Sequence, residues 1–228
     1  MRAKNTKAED ARTVMAEEPF RSSYPRYDVL EKWDSPSWNE ATRRAVDDRL
    51  HNVPPRRFFS EREYALLTAL VETVLPQPER APHERIPVAA FIDGVLYEDR
   101  GNGTRFADAL PQREAWRRGL AAIAAEAERR HGRAFPDLPG PLRTALLKAV
   151  DAGEVDETLW EGVKPRRFFR DVLLKEAVKI YYAHPSAWNE IGFGGPAAPR
   201  GYVRLGPDQR DPWEAREERP PQPLGRQE

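Results

Sequence analysis

The stretch S60-E-R-E-Y-A-L-L-T-A-L-V-E-T-V-L-P76 decides the fold class. Ser60 followed three residues on by Glu63 is a capping-box pattern, in which each side chain satisfies a backbone amide left over at a helix start. Tyr64, Leu67, Val71 and Val74 then recur at helical spacing until Pro76 stops the run. The same grammar repeats downstream. Pro87 suits a first helical turn, and Val88, Phe91, Ile92, Val95 and Leu96 form one apolar stripe. Pro111 opens the next helix, with Trp116, Leu120, Ile123 and Ala127 on one face and Gly132 as its stop. Leu142, Leu146, Ala149 and Val150 predict a shorter helix closed by Gly153. A last long helix is expected from about Pro165 to Tyr182, burying Phe169, Val172, Leu173 and Ile180, with His184-Pro185 ending it. Few segments alternate as strands do. The expected fold class is all-α: a compact helical domain with a Gly/Pro/aromatic C-terminal loop and extended N- and C-terminal arms.

The regions around this core divide by composition. Residues 1–19 are charged and poor in apolar side chains, so a disordered tail is expected there. Residues 20–55 predict an extended aromatic arm with a short helix. Within it, Tyr24, Tyr27, Val29, Leu30, Trp33 and Trp38 are many large apolar groups for residues 20–40, which have two prolines and little periodicity. Such an arm lies over a surface, whose owner the sequence leaves open. Its helix is placed from about Ser37, as cap, to Leu50, before Asn52-Val53-Pro54-Pro55 breaks it. The helical domain is assigned to 56–205, and an arm and tail to 206–228, where the isolated Trp213 reads as a contact anchor.

Composition bounds the chemistry. Lys+Arg and Asp+Glu are each 37 in 228 residues, so the formal net charge is zero. That argues against a general nucleic-acid or anionic-membrane binder. Apolar residues make up only 39% and there are 22 prolines, which fits a modest core with proline-punctuated arms. With no cysteine, disulfides, thiol nucleophiles, iron–sulfur clusters and thiolate zinc sites are excluded. No apolar run approaches the ~20 residues of a membrane span, so no direct membrane insertion is expected. The opening M-R-A-K-N-T-K-A-E-D lacks the apolar segment of a secretory signal. The expected address is therefore cytoplasmic by default, with a periplasmic or inner-membrane position through a partner as the alternative.

One string occurs twice: P-R-R-F-F at 55–59 and at 165–169. Aromatics entering the core under arginine stems explain it; anion binding by the arginines at a helix start is the other reading. No dinucleotide or phosphate fingerprint is present, and the four histidines share no metal-ligand spacing.

The late stretch I180-Y-Y-A-H-P-S-A-W-N-E-I-G-F-G-G-P-A-A-P-R-G-Y-V-R204 is the candidate site. It is aromatic and backbone-constrained where an idle loop would be polar. His184 and Glu190 could do acid–base work with Tyr182 as donor, or could tie the helix end to the loop. The glycines provide positive φ or close approach. Arg200 and Arg204 could clamp a carboxylate or phosphate, or form ordinary salt bridges. With no nucleophile, metal or cofactor motif elsewhere, contact is the reading that fits best. The candidate partner interface is Trp33, Trp38, Tyr182, His184, Trp188, Glu190, Phe193, Arg200, Tyr202, Arg204 and Trp213; no catalytic, cofactor or metal residue is assigned. The alternatives are a stand-alone enzyme using Tyr182, His184 and Glu190, or a scaffold for another partner.

Taken in order, Phe59-Ser60 with Glu63, Leu75-Pro76, Phe168-Phe169 and Y-Y-A-H-P-S-A-W-N-E-I-G-F-G-G-P resemble the gluconate 2-dehydrogenase subunit 3 family over roughly residues 56–205. The resemblance implies a small, non-catalytic subunit without a cofactor of its own. Its large partner would be a glucose–methanol–choline-type flavoprotein carrying FAD and oxidising a sugar, sugar acid or alcohol. A c-type cytochrome subunit with haem c often accepts the electrons. The small subunit of such complexes supports maturation or export of the large one.

Overall fold

Ser60 starts α2 (Glu61–Val74) as its sequence dictates: its Oγ accepts the Glu63 amide at 3.3 Å, and the Glu63 carboxylate accepts the Ser60 amide at 2.9 Å. The structure, a computed structural model, describes residues 23–99, 108–196, 198, 201, 215 and 216. The expected tail at 1–19 and nearly all of the C-terminal arm lie outside the described residues. Every regular element among those described is helical.

Upstream, α1 (Glu40–His51) is capped by Asn39, whose Oδ1 accepts the Thr42 amide at 2.9 Å, and not by Ser37. Ser37 instead belongs to a tight turn, its amide bonded to Ser35 Oγ at 3.3 Å. The helix α3 (Val88–Tyr97) was expected to bury one stripe. It is buried nearly all round, with Ala89, Ala90, Asp93 and Gly94 also inside, because it packs between α2 and α7. Small residues permit this: a Cβ on Gly94 would lie 3.1 Å from the Pro54 ring.

The expected face of α4 (Gln112–His131) is the one that is buried, and Gly132 ends the helix at φ 60°. In α5 (Gly140–Ala152), closed by Gly153 at φ 80°, the buried face is Leu146, Leu147 and Val150. Leu142, in its first turn, is exposed, so that expectation is corrected. The last long helix is not uniform. It starts as α6 (Pro165–Arg167), winds as a π-helix over Phe168–Leu174, and returns to α-geometry in α7 (Lys175–Ala183). A short α8 (Pro185–Trp188) follows.

The two P-R-R-F-F copies converge on one residue. Trp116 meets the edge of Phe59 at 6.2 Å and of Phe168 at 5.8 Å, and Trp160 closes over Phe168 at 6.1 Å. Phe168 comes so close to α4 that a Cβ on Gly119 would sit 2.1 Å from its ring. Arg57 lies over the Tyr97 ring at 4.1 Å, covering apolar surface, whereas Arg167 of the second copy pairs with Asp108 at 2.7 Å. The first copy is fixed from beneath. Asp93, fully buried on α3, accepts the amides of Arg57 (2.6 Å), Phe58 (3.1 Å) and Phe59 (2.8 Å). Three charge-assisted bonds are what make a buried carboxylate tolerable.

Candidate functional site: a strapped glycine turn

The late stretch is built from the end of α7. His184 leaves the helix at φ −82°, ψ 132°, and its Nδ1 accepts the Ser186 amide at 3.3 Å, capping α8. Pro185 occupies the first position of α8, where its missing amide costs nothing. A 3-10 turn, Asn189–Ile191, then ends at Gly192, whose φ of 64° favours glycine. Gly195, at φ 72°, makes the next such turn.

The chain's own N-terminal arm covers this turn. Val29, Trp38, Val46 and Trp188 form a buried cluster distinct from the main core, edged by Tyr27, Leu30, Trp33 and Leu50. The glycines admit the arm's rings. A Cβ on Gly192 would lie 2.6 Å from the Tyr24 ring, and one on Gly195 would lie 2.8 Å from Trp38. Polar bonds fix the register. Asn189 Oδ1 accepts the Val29 amide at 2.9 Å, and Asn189 Nδ2 donates to Asp28 at 3.2 Å. The buried Lys32 donates to the Gly194 carbonyl at 2.9 Å. Farther along, the Asn39 amide donates to the Ala198 carbonyl at 3.1 Å. Thus the surface on which the arm lies, open in the sequence, belongs to the same chain.

Beneath the turn is a network of three charged or polar side chains. Glu190 is ion-paired with Arg80 from the loop after α2 and accepts the Tyr181 hydroxyl proton at 2.9 and 3.0 Å. Arg80 also donates to the Ser186 carbonyl at 2.8 Å. Burial pushes the Tyr181 phenol up, and its bond to Glu190 adds to that. Burial alone would depress Arg80, but its bonds to Glu190 and Tyr181 more than offset it. His184 is driven down to about 4, first by burial and then by the charges of Arg80 and Arg49. It is therefore neutral near pH 7, with its Nδ1 lone pair committed to the cap.

The sequence-predicted interface residues divide into three groups. Trp38 and Trp188 are each 2% exposed and face their own chain; the Trp188 indole donates to the Tyr182 carbonyl at 3.0 Å. Trp33 lies edge-on to Trp38 at 6.0 Å. Tyr182 (36% exposed) and Phe193 (37%) reach solvent, together with Ile191 (46%), which the sequence reading did not single out. Arg200, Tyr202, Arg204 and Trp213 lie outside the described residues. The trio Tyr182, His184 and Glu190 does not converge as a catalytic set. The tyrosine on Glu190 is Tyr181, and His184 faces Ser186, Arg49 and the Phe91 ring at 5.9 Å. Helical phase could have found Tyr181, which stands four residues after the buried Ala177. Nothing local marks Arg80, Asn189 or Lys32.

Among the described residues, no group of three His, Cys, Asp or Glu is placed to hold a metal ion, and no helix is long and apolar enough to cross a membrane. A family model described as gluconate 2-dehydrogenase subunit 3 matches residues 61–195. No curated protein and no solved structure matches the chain. The matched region ends at Gly195, so it contains the glycine turn and leaves the arm outside.

Proposed function

The chain belongs to the gluconate 2-dehydrogenase subunit 3 family, and from that premise we propose that it is the accessory, non-catalytic subunit of a flavin-dependent sugar, sugar-acid or alcohol dehydrogenase. Its partner is a large glucose–methanol–choline-type flavoprotein that holds FAD and does the oxidation, and a c-type cytochrome subunit takes the electrons. The small subunit supports assembly or maturation of the large one by contact. Its own address follows that of the partner.

The observation that carries this reading is how the late stretch uses its side chains. Among the described residues, Glu190 is engaged by Arg80 and Tyr181, and His184 by the amide it caps. What the turn presents outward is apolar: Tyr182, Ile191 and Phe193, held on a backbone fixed by the arm. A rigid frame with exposed aromatics suits docking, because little conformational freedom remains to be lost on binding.

Co-expression with the flavoprotein tests it. Phe193→Asp combined with Ile191→Asp should lower the flavin recovered with the tagged chain at least about tenfold, equivalent to about 1.4 kcal/mol of binding. The melting temperature should fall by only about 5 °C, since Ile191 is largely exposed and Phe193, though it packs on Trp188 at 5.4 Å, is partly exposed. Wild-type chain recovered from its native host without any flavin-containing partner would overturn the reading.

A further inference from the structure

The two P-R-R-F-F copies share a sequence but not a charge balance. At the first copy Phe59 enters the core, while Phe58 stays half-buried and Tyr97 beside it is 46% exposed. Three arginines lie on these two rings. Arg57 covers Tyr97 at 4.1 Å, and Arg113 and Arg117 of α4 sit over Phe58 at 5.4 and 4.7 Å. The strip is held firmly. Asp93 fixes the amides of Arg57 and Phe58 from beneath, Phe58 meets Phe59 edge-on at 4.7 Å, and Arg113 donates to the carbonyls of Leu96 and Tyr97, each at 2.6 Å. A guanidinium seated over a ring gains cation–π attraction and still presents N–H donors to an oxyanion.

At the second copy those donors meet acids of the same chain. Asp108 bridges Arg167 and Lys164, each at 2.7 Å, and Arg170 pairs with Asp151. At the first copy the acids stand off. Glu98 is 3.9 Å from Arg57, beyond hydrogen-bond reach, and Asp99 is 3.5 Å from Arg113. Arg117 touches only the Phe58 ring and has no acceptor among the described residues. Arg113 and Arg117 are also one helical turn apart, a spacing at which like charges disfavour the helix unless an anion stands between them.

We propose that this strip is a docking site for an acidic segment of a partner polypeptide, whose carboxylates take on Arg57 and Arg117 the place that Asp108 holds on Arg167 and Lys164. The charges favour this occupant over others. The cations are spread along two rings, which suits several spaced carboxylates better than one compact anion. Glu98 and Asp99 border the strip and the chain carries no net charge, which weighs against the continuous phosphate backbone of a nucleic acid. Tyr97 adds apolar area for the segment's own side chains. The site belongs to the ends of α3 and α4, not to the glycine turn, and stands without the dehydrogenase reading.

Titrating the full-length chain with fluorescein-labelled hexaglutamate at low salt, read by anisotropy, tests it. Binding should weaken as salt is added. Arg117→Glu should lower the affinity at least about tenfold, and Arg117→Lys about threefold, because lysine keeps the charge and loses the planar fork. The melting temperature should hold in both, since Arg117 is exposed. Arg166→Glu makes the same change of charge at the second copy and should alter the affinity less than about twofold. A wild-type chain that does not bind hexaglutamate, or an equal loss in Arg166→Glu, overturns the proposal. Tighter binding of single-stranded oligothymidylate than of the peptide, lost in Arg117→Glu, would overturn it too, by giving the strip to nucleic acid.

Discussion

Two clusters, each centred on a buried tryptophan, divide this molecule, and they are held by different means. Around Trp116 the partners are Phe59, Phe168 and Trp160, all from the helical body, and their positions follow from packing. The Trp116 and Trp160 indole N–H groups, like that of Trp38 in the second cluster, have no acceptor among the described residues, a cost of about 1 kcal/mol or more each that the surrounding burial must offset. Around Trp188 the apolar partners arrive from an arm some 150 residues earlier in the chain, and polar bonds set the register: Asn189 to Val29, Lys32 to Gly194, and the Trp188 indole to Tyr182. Both clusters depend on glycines that admit a ring. Gly119 receives Phe168, while Gly192 and Gly195 receive Tyr24 and Trp38. The contrast teaches that the first cluster makes the fold and the second finishes a surface.

The largest test of that contrast is Asp93→Ala. It leaves three amides of the first P-R-R-F-F copy without acceptors, next to Phe59 and Trp116. A loss of about 4 kcal/mol is expected, read as one cooperative shift of the urea midpoint. If the arm's amides alone lost protection while the helices kept theirs, the division into two clusters would be misplaced.

Next in size is the effect of pH at the seam, where the buried His184 packs on the Phe91 ring near the charges of Arg80 and Arg49. Its folded value of about 4 lies below the ordinary histidine value of 6.5, so the unfolded chain binds more protons between them. Stability is therefore unaffected by this group above about pH 6.5 and falls as the pH drops toward about 4, by about 3 kcal/mol in all. His184→Asn, which keeps a cap acceptor, should flatten that part of the profile; unfolding measurements at several pH values in both proteins check it. An unchanged slope in the variant would assign the loss to other groups, such as the buried Glu126. Burial alone would raise that carboxyl, and bonds from Arg130, Asp156 and Arg129 hold it low.

The smallest global effect belongs to Trp38→Ala. A tryptophan of the main core costs about 3–5 kcal/mol when removed. Trp38 is as deeply buried, yet its removal should cost less than about 1 kcal/mol of global stability, because the arm opens locally first. Hydrogen exchange should show the Val29 and Asn39 amides losing protection while α2 and α4 keep theirs. A global loss as large as that of a core tryptophan would make the strap part of one cooperative unit.

Much of the first cluster is legible in the sequence because its rules are local. The Ser60–Glu63 box, the face Trp116–Leu120–Ile123–Ala127, and Gly132 and Gly153 as left-handed stops can each be read within about four residues. The second cluster is only half legible. Its aromatics announce burial, but not against what, since the pairing of Val29 with Asn189 spans 160 residues. Placing Trp38 and Trp188 on a partner surface follows from that gap: large apolar side chains in a proline-rich segment imply a cover without saying whose. Asp93 left a usable signal, a lone acid in an otherwise apolar helix, which points inward to amides. Arg80, amid charged residues in a proline loop, left none.

The π-wound segment Phe168–Leu174 has a consequence for how length variation would act here. A π-turn holds one residue more than the α-turn it replaces, so it behaves like a one-residue insertion absorbed without a loop. Each residue advances an α-helix by about 100°. Because the wide turn takes up the extra residue, that rotation is not passed on: Ala177, Ile180 and Tyr181 face the core, and the turn bearing Glu190 faces Arg80. A single-residue deletion within this segment would therefore return it to plain α-geometry and leave the C-terminal turn aimed as it is, whereas the same deletion in the regular helix α7 would swing that turn by about 100°.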